Sequence, residues 1–133
     1  MKLNLLVLRT PRLEDMKSFY SALGAHFQSE RHGNGPDHYA AILGDDQVLE
    51  LYPILDGAMP DAGLRLGVSV EDIGDTLRSI GQTATPLRTP WGLRAVVRDP
   101  DGRAVELSQR KSHRRKQAMD ELVEQAQELN LGY

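Results

Sequence analysis

Two stretches of this chain close in the same way, and that repetition limits the folds open to it more than any other feature. Near the middle, Ala41-Ile42-Leu43-Gly44-Asp45-Asp46-Gln47-Val48-Leu49-Glu50-Leu51 reads as strand, acidic tight turn, strand. Near the end, Val96-Val97-Arg98-Asp99-Pro100-Asp101-Gly102-Arg103-Ala104-Val105-Glu106-Leu107 reads the same way, and each stretch finishes with a Glu between apolar residues. Copies of one unit must pack together to bury their apolar faces, and equivalent residues then tend to converge on a shared cavity. Glu50 and Glu106 are therefore the first candidate functional residues.

The rest of the chain extends the repeat. Residues 3–8 read as a strand, followed by a helix to about residue 23, which opens at Thr10-Pro11 with Glu14 and Asp15 in its first turn. Leu13, Met16, Phe19, Tyr20 and Leu23 recur on one helical face, and Gly24 is placed to end it. Strands are expected at 25–30, 38–43 and 48–52, separated by Gly33-Asn34-Gly35-Pro36-Asp37 and Gly44-Asp45-Asp46. After a connector at 53–63 the order restarts, with a strand at 64–70, a helix at 71–80 stopped by Gly81, and strands at 83–88, 93–98 and 103–107. This is βαβββ twice, an α+β fold. A last helical period runs from about 112 to 129, with Met119, Leu122, Val123, Ala126 and Leu129 as its apolar stripe. The expected organisation is one domain over 1–109, with modules at about 3–52 and 64–107, and a basic, amphipathic C-terminal helix over 110–133.

Composition narrows the function classes. A chain of 133 residues suits one domain with a real core, and 40% apolar with 26% charged residues suits a soluble globular protein without a membrane span. The apolar run at 3–8 is short and broken by Asn4, so it reads as a buried strand and not as a signal peptide, and a cytoplasmic setting is expected. Without Cys, thiol nucleophiles and thiolate metal sites are excluded. A net charge of -3 argues against nucleic acid as the main partner. The run Arg110-Lys111-Ser112-His113-Arg114-Arg115-Lys116 holds five of the 16 basic residues, and docking on the acidic body or on a second subunit accounts for it more economically.

Phe19-Tyr20 and Leu23-Gly24 in the first helix, Leu49-Glu50-Leu51, Pro90-Trp91-Gly92, Asp99-Pro100-Asp101-Gly102 and Val105-Glu106-Leu107 together resemble the vicinal oxygen chelate superfamily. That group includes glyoxalase I, extradiol dioxygenases, fosfomycin-resistance enzymes and bleomycin-resistance binding proteins. The resemblance covers about residues 3–109 and implies two βαβββ half-barrels enclosing a cleft. In metal-dependent members, each module's first and last strands supply ligands to a divalent ion. Glu50 and Glu106 match the last-strand positions, and the first-strand positions fall at Leu5 and Arg65. Leu5 cannot coordinate, and the guanidinium of Arg65 repels a cation and pairs with carboxylate instead. The expectation is therefore no metal cofactor at this site and an organic ligand in its place.

The expected ligand-binding residues are Glu50, Arg65, Glu106, Tyr52, Trp91 and His38, with no catalytic residue assigned. Tyr52 lies two residues beyond Glu50 and so shares its strand face. Trp91 admits two readings, a cleft rim that stacks on a planar ligand or a core plug, and Tyr39 is similarly open. None of His26, His32, His38 and His113 is at a spacing that forms a metal site by itself. The leading functional expectation is metal-independent small-molecule binding of the bleomycin-resistance kind, in a homodimer. One alternative is a glyoxalase- or dioxygenase-type enzyme holding Zn, Ni, Mn or Fe with Glu50 and Glu106, joined by His38 and waters, leaving enzyme status open. Another is a protein-interaction module that uses the C-terminal helix.

Overall fold

The computed structural model describes residues 1–110 and 123–128. The first module runs β1 (Leu5–Thr10), α1 (Leu13–Ala22), β2 (Phe27–Glu30), β3 (His38–Leu43) and β4 (Gln47–Pro53). The second runs β5 (Arg65–Ser69), α2 (Ile73–Ile80), β6 (Leu87–Thr89), β7 (Gly92–Arg98) and β8 (Ala104–Arg110). Each module is a four-stranded sheet, ordered β1-β4-β3-β2 and β5-β8-β7-β6, whose first strand lies parallel to its last. The βαβββ order expected twice is the order observed.

Strand alternation decides which side of each sheet is buried. Leu49 and Leu51 of β4, and Val105 and Leu107 of β8, are all buried, so Glu50 and Glu106 between them point to the opposite faces. Onto the buried faces pack Met16, Phe19 and Tyr20 of α1 and Ile73 and Leu77 of α2, and all of these residues belong to one core. Fully burying side chains such as Met16, Leu51, Ile73 and Leu107 contributes roughly 1.5–3 kcal/mol each. Because α1 also touches α2, the modules share this core through their helix-bearing sides and, among the described residues, leave their other sheet faces open.

Several boundaries differ from the sequence expectation, each for a local reason. Thr10 Oγ1 accepts the Arg12 amide at 3.0 Å, so the chain turns once more before α1 begins at Leu13. Asp72 caps α2 by accepting the Asp75 amide at 2.8 Å, which starts that helix at Ile73 instead of residue 71. Gly81 ends it with φ +68, the left-handed stop that was expected. The strand expected at 83–88 shortens to β6. Beyond it the Gln82 side chain takes both backbone groups of Arg98, at 2.7 and 3.1 Å, where a neighbouring strand would otherwise bond. Of the helix expected at 112–129, residues 123–128 are helical and exposed, and the remainder lies outside the described residues, as does the basic run at 111–116. No helix among the described residues is long and apolar enough to cross a membrane.

The tight turn between β7 and β8 ties the modules together. Asp99 Oδ1 accepts the amides of Asp101 at 2.9 Å and Arg103 at 3.0 Å, and Gly102 takes φ +89 to close the turn. Arg103, only 1% exposed, reaches Asp101 at 2.9 Å, Asp99 at 3.3 Å and the Arg9 carbonyl of β1 at 3.0 Å. From α1, the Tyr20 hydroxyl donates to Asp99 at 2.8 Å, and from the segment before it Arg12 donates to Asp101 at 3.2 Å. Burial, and then the Asp99 carboxylate, push the Tyr20 phenol far above its ordinary value.

Removing one partner of such a network leaves the others charged and buried. Arg103→Ala is expected to lower stability by about 3–5 kcal/mol, read as a lower urea midpoint. Tyr20 holds its proton more tightly in the folded than in the unfolded chain. Above about pH 10 the unfolded state therefore releases that proton first, and stability falls as pH rises. Urea titrations across the alkaline range should show Tyr20→Phe with a shallower decline than the parent.

Candidate functional site

The open face of the first sheet gathers Glu30, His38, Glu50 and Tyr52 by register. Glu30 lies opposite His38, and Ala40, two residues on from His38, lies opposite Glu50. The His38 ring is 1% exposed and stacks on Tyr52, with centroids 4.0 Å apart and planes 12° apart. Its Nδ1 sits 3.2 Å from the Pro36 carbonyl, and its Nε2 lies 3.2 Å from Glu50 and 3.4 Å from Glu30. Nε2 has no hydrogen-bond partner of acceptable geometry. Leaving a buried polar atom unsatisfied costs roughly 1–3 kcal/mol. His32, just past β2, approaches Glu30 at 3.4 Å. Tyr52, with the Arg9 guanidinium 5.4 Å from its ring centre, has its hydroxyl pKa raised by desolvation first and by the Glu50 charge second. Tyr39 belongs to the helix side, where its hydroxyl bonds Glu14 of α1.

The open face of the second sheet is built differently. Val7 pairs with Glu50 in the first module and Gly67 with Glu106 in the second, so Leu5 and Arg65, two residues earlier, occupy equivalent places on the two faces. Arg65 donates to Glu106 at 3.2 Å, and Arg94 of β7 pairs with the other carboxylate oxygen. Glu106 thus sits between two guanidiniums. Beside it an open hollow of about 340 Å³ is lined by Trp91, Leu93, Arg94, Glu106 and Ser108 among others. Trp91 is 79% exposed and forms the rim of this hollow, so the core-plug reading of it is set aside. Its turn is held by Thr89 Oγ1, which accepts the Trp91 amide at 3.3 Å and donates to the Gly92 carbonyl at 2.9 Å.

The expectation that Glu50 and Glu106 converge on one cavity does not hold within the chain, because the two sheets turn their open faces apart, and the six residues expected from sequence form two groups. Glu50, His38 and Tyr52 meet on the first sheet, and Arg65, Glu106 and Trp91 gather on the second. Arg65 pairs with Glu106 and not with Glu50; among the described residues the basic side chain within 4 Å of the Glu50 carboxylate is His38. Sequence reasoning missed Arg94, Glu30 and His32. Arg94 was legible in the alternation of Leu93, Ala95 and Val97 with Arg94 and Val96. Glu30 and His32 needed the β2–β3 register, which a hairpin loop of this length leaves open.

A model of the glyoxalase/bleomycin resistance protein/dioxygenase superfamily matches residues 2–107. The chain belongs to that superfamily. A search of curated proteins finds no match. Among solved structures, TnmS3, an antibiotic binding protein from Streptomyces sp. CB03234, is 24% identical with a TM-score of 0.63, over 84% of this chain and 97% of its own. A glyoxalase/bleomycin resistance protein from the same strain is 25% identical with a TM-score of 0.60, over 81% of this chain and 100% of its own. A glyoxylase/bleomycin resistance protein/dioxygenase domain from Frankia sp. EAN1pec shares 20% identity and a TM-score of 0.61, over 84% of this chain and 98% of its own.

Within a glyoxalase/bleomycin-resistance fold, the metal-dependent arrangement needs ligands from the first and last strands of both modules. Here those places hold Leu5, Glu50, Arg65 and Glu106. An aliphatic side chain and a guanidinium already bonded to Glu106 do not fit a chelated cation.

Gly92 shapes the hollow from behind. It has φ +142, and a Cβ there would lie 2.0 Å from the Gln109 carbonyl oxygen of β8. Gly92→Ala is expected to cost at least about 1–3 kcal/mol, visible as a lowered melting temperature.

Proposed function

We propose that this protein binds a planar, amphipathic small molecule on the open face of its second sheet, as a sequestering protein of the bleomycin-resistance kind, with no ion needed at that place. The observation that carries this reading is the Arg65–Glu106–Arg94 group beside the Trp91 hollow. Two guanidiniums against one carboxylate leave a cationic excess suited to an acidic or strongly accepting ligand group. Trp91 offers a broad exposed face for stacking, at low entropic cost. Membership of the superfamily and the antibiotic-binding description of TnmS3 support the ligand class.

A second copy of the chain completes the cavity in this reading. The faces turned from the core expose Leu5, Ile42 and Val96, and the rim exposes Trp91. Facing sheets from two chains would cover them and raise the buried fraction of a ligand toward that of an ordinary pocket. Glu50, His38 and Tyr52 would then form the far wall.

Trp91 is the chain's single tryptophan, so its fluorescence reports directly on this hollow. Titration with naphthoate in EDTA is expected to give a saturable change in emission. Arg94→Gln is expected to weaken naphthoate about tenfold, or about 1.4 kcal/mol. No saturable change, or affinity indifferent to Arg94→Gln, would overturn the assignment.

A further inference from the structure

We propose that the first module carries a zinc site of its own, made by Glu30, His32, His38 and Glu50, which shares only Glu50 with the inter-module ligand positions of the superfamily and goes beyond the binding function proposed above. One ligand atom from each of the four residues comes within 4.8 Å of the other three. The nearest approaches are 3.2 Å between His38 and Glu50, 3.4 Å between His38 and Glu30, and 3.4 Å between His32 and Glu30. Four ligands around zinc at bond lengths of about 2.0–2.1 Å stand about 3.3 Å apart along each tetrahedral edge. Three of the six ligand spacings are thus already close to those of a coordination shell, and the other three lie within 4.8 Å.

His38 gives an independent reason. Its Nδ1 faces the Pro36 carbonyl, and donating that proton leaves the lone pair of the neutral ring on Nε2. Nε2 is buried, unpartnered and aimed between two carboxylate oxygens, which accept but do not donate when ionised. A backbone carbonyl on the far nitrogen is the usual outer support of a metal-binding histidine, and the stacked Tyr52 ring fixes the plane. Two carboxylates with two neutral imidazoles also balance the charge of a divalent ion, and the mixed N/O donor set suits zinc. Bound there, the ion would fasten the loop between β2 and β3 to the centre of the sheet, because its ligands come from β2, the residue group just beyond it, β3 and β4.

The test is calorimetric titration of EDTA-stripped full-length protein with zinc chloride at neutral pH, with thermal melting beside it. Binding in one-to-one stoichiometry and a raised melting temperature are expected. His32 is exposed, with its side chain 72% accessible, so His32→Ala should melt like the metal-free parent while losing at least about tenfold in zinc affinity. Glu30→Gln should behave likewise, and Glu106→Gln should bind zinc as the parent does. Failure to bind zinc would mean that a proton on Nε2 fills the gap, and would overturn the proposal. So would zinc binding that survives His32→Ala, or that is lost in Glu106→Gln and so belongs to the inter-module positions. Emission of Trp91 with naphthoate in EDTA is read without zinc, so the binding function and the zinc site stand or fall separately.

Discussion

The buried guanidinium of Arg103 is the contact on which the arrangement of the two modules depends. It lies in the turn that ends the second repeat, yet it bonds the Arg9 carbonyl in the first strand of the first repeat. Asp99 and Asp101 neutralise it, and Tyr20 and Arg12 join the same group from the first module. Apolar packing between helices is tolerant of sliding, because many packings bury similar area. A buried charge with fixed donors is not tolerant, since any shift strands it without partners. The shared core supplies cohesion, and this group supplies registration.

Around that fixed junction, a duplicated backbone carries unduplicated chemistry. Glu50 and Glu106 sit at equivalent places by register, but one faces a buried imidazole and the other two guanidiniums. The difference arises from neighbours on adjacent strands, His38 on β3 and Arg94 on β7, each displaced diagonally from its Glu. A diagonal neighbour in a sheet is within reach of long side chains. Small changes at such places redirect a face without disturbing the core behind it.

Much of the architecture was legible in the residues because the two periods are distinct. Steps of three and four placed Met16, Phe19 and Tyr20 on one helical face, and alternation placed Leu49 and Leu51 opposite Glu50. The equivalence of Leu5 and Arg65 was also readable by counting within each repeat. What escaped was anything requiring a partner from elsewhere in the sheet. Gln82 replaces a strand's hydrogen bonds with its own amide, which no local pattern announces. Asp99-Pro100-Asp101-Gly102 was read as turn chemistry, which it is, but the fate of the following Arg103 depends on strand β1, far away in sequence.

The back-to-back arrangement of the sheets has a consequence for how any cargo could be held. Among the described residues both open faces look away from the common interior, so in the binding reading proposed above a molecule gripped from two sides would be gripped by two chains. Capture would then be a reaction of higher order in protein: dilution would loosen the hold, and accumulation would tighten it. The cargo itself would serve as the glue.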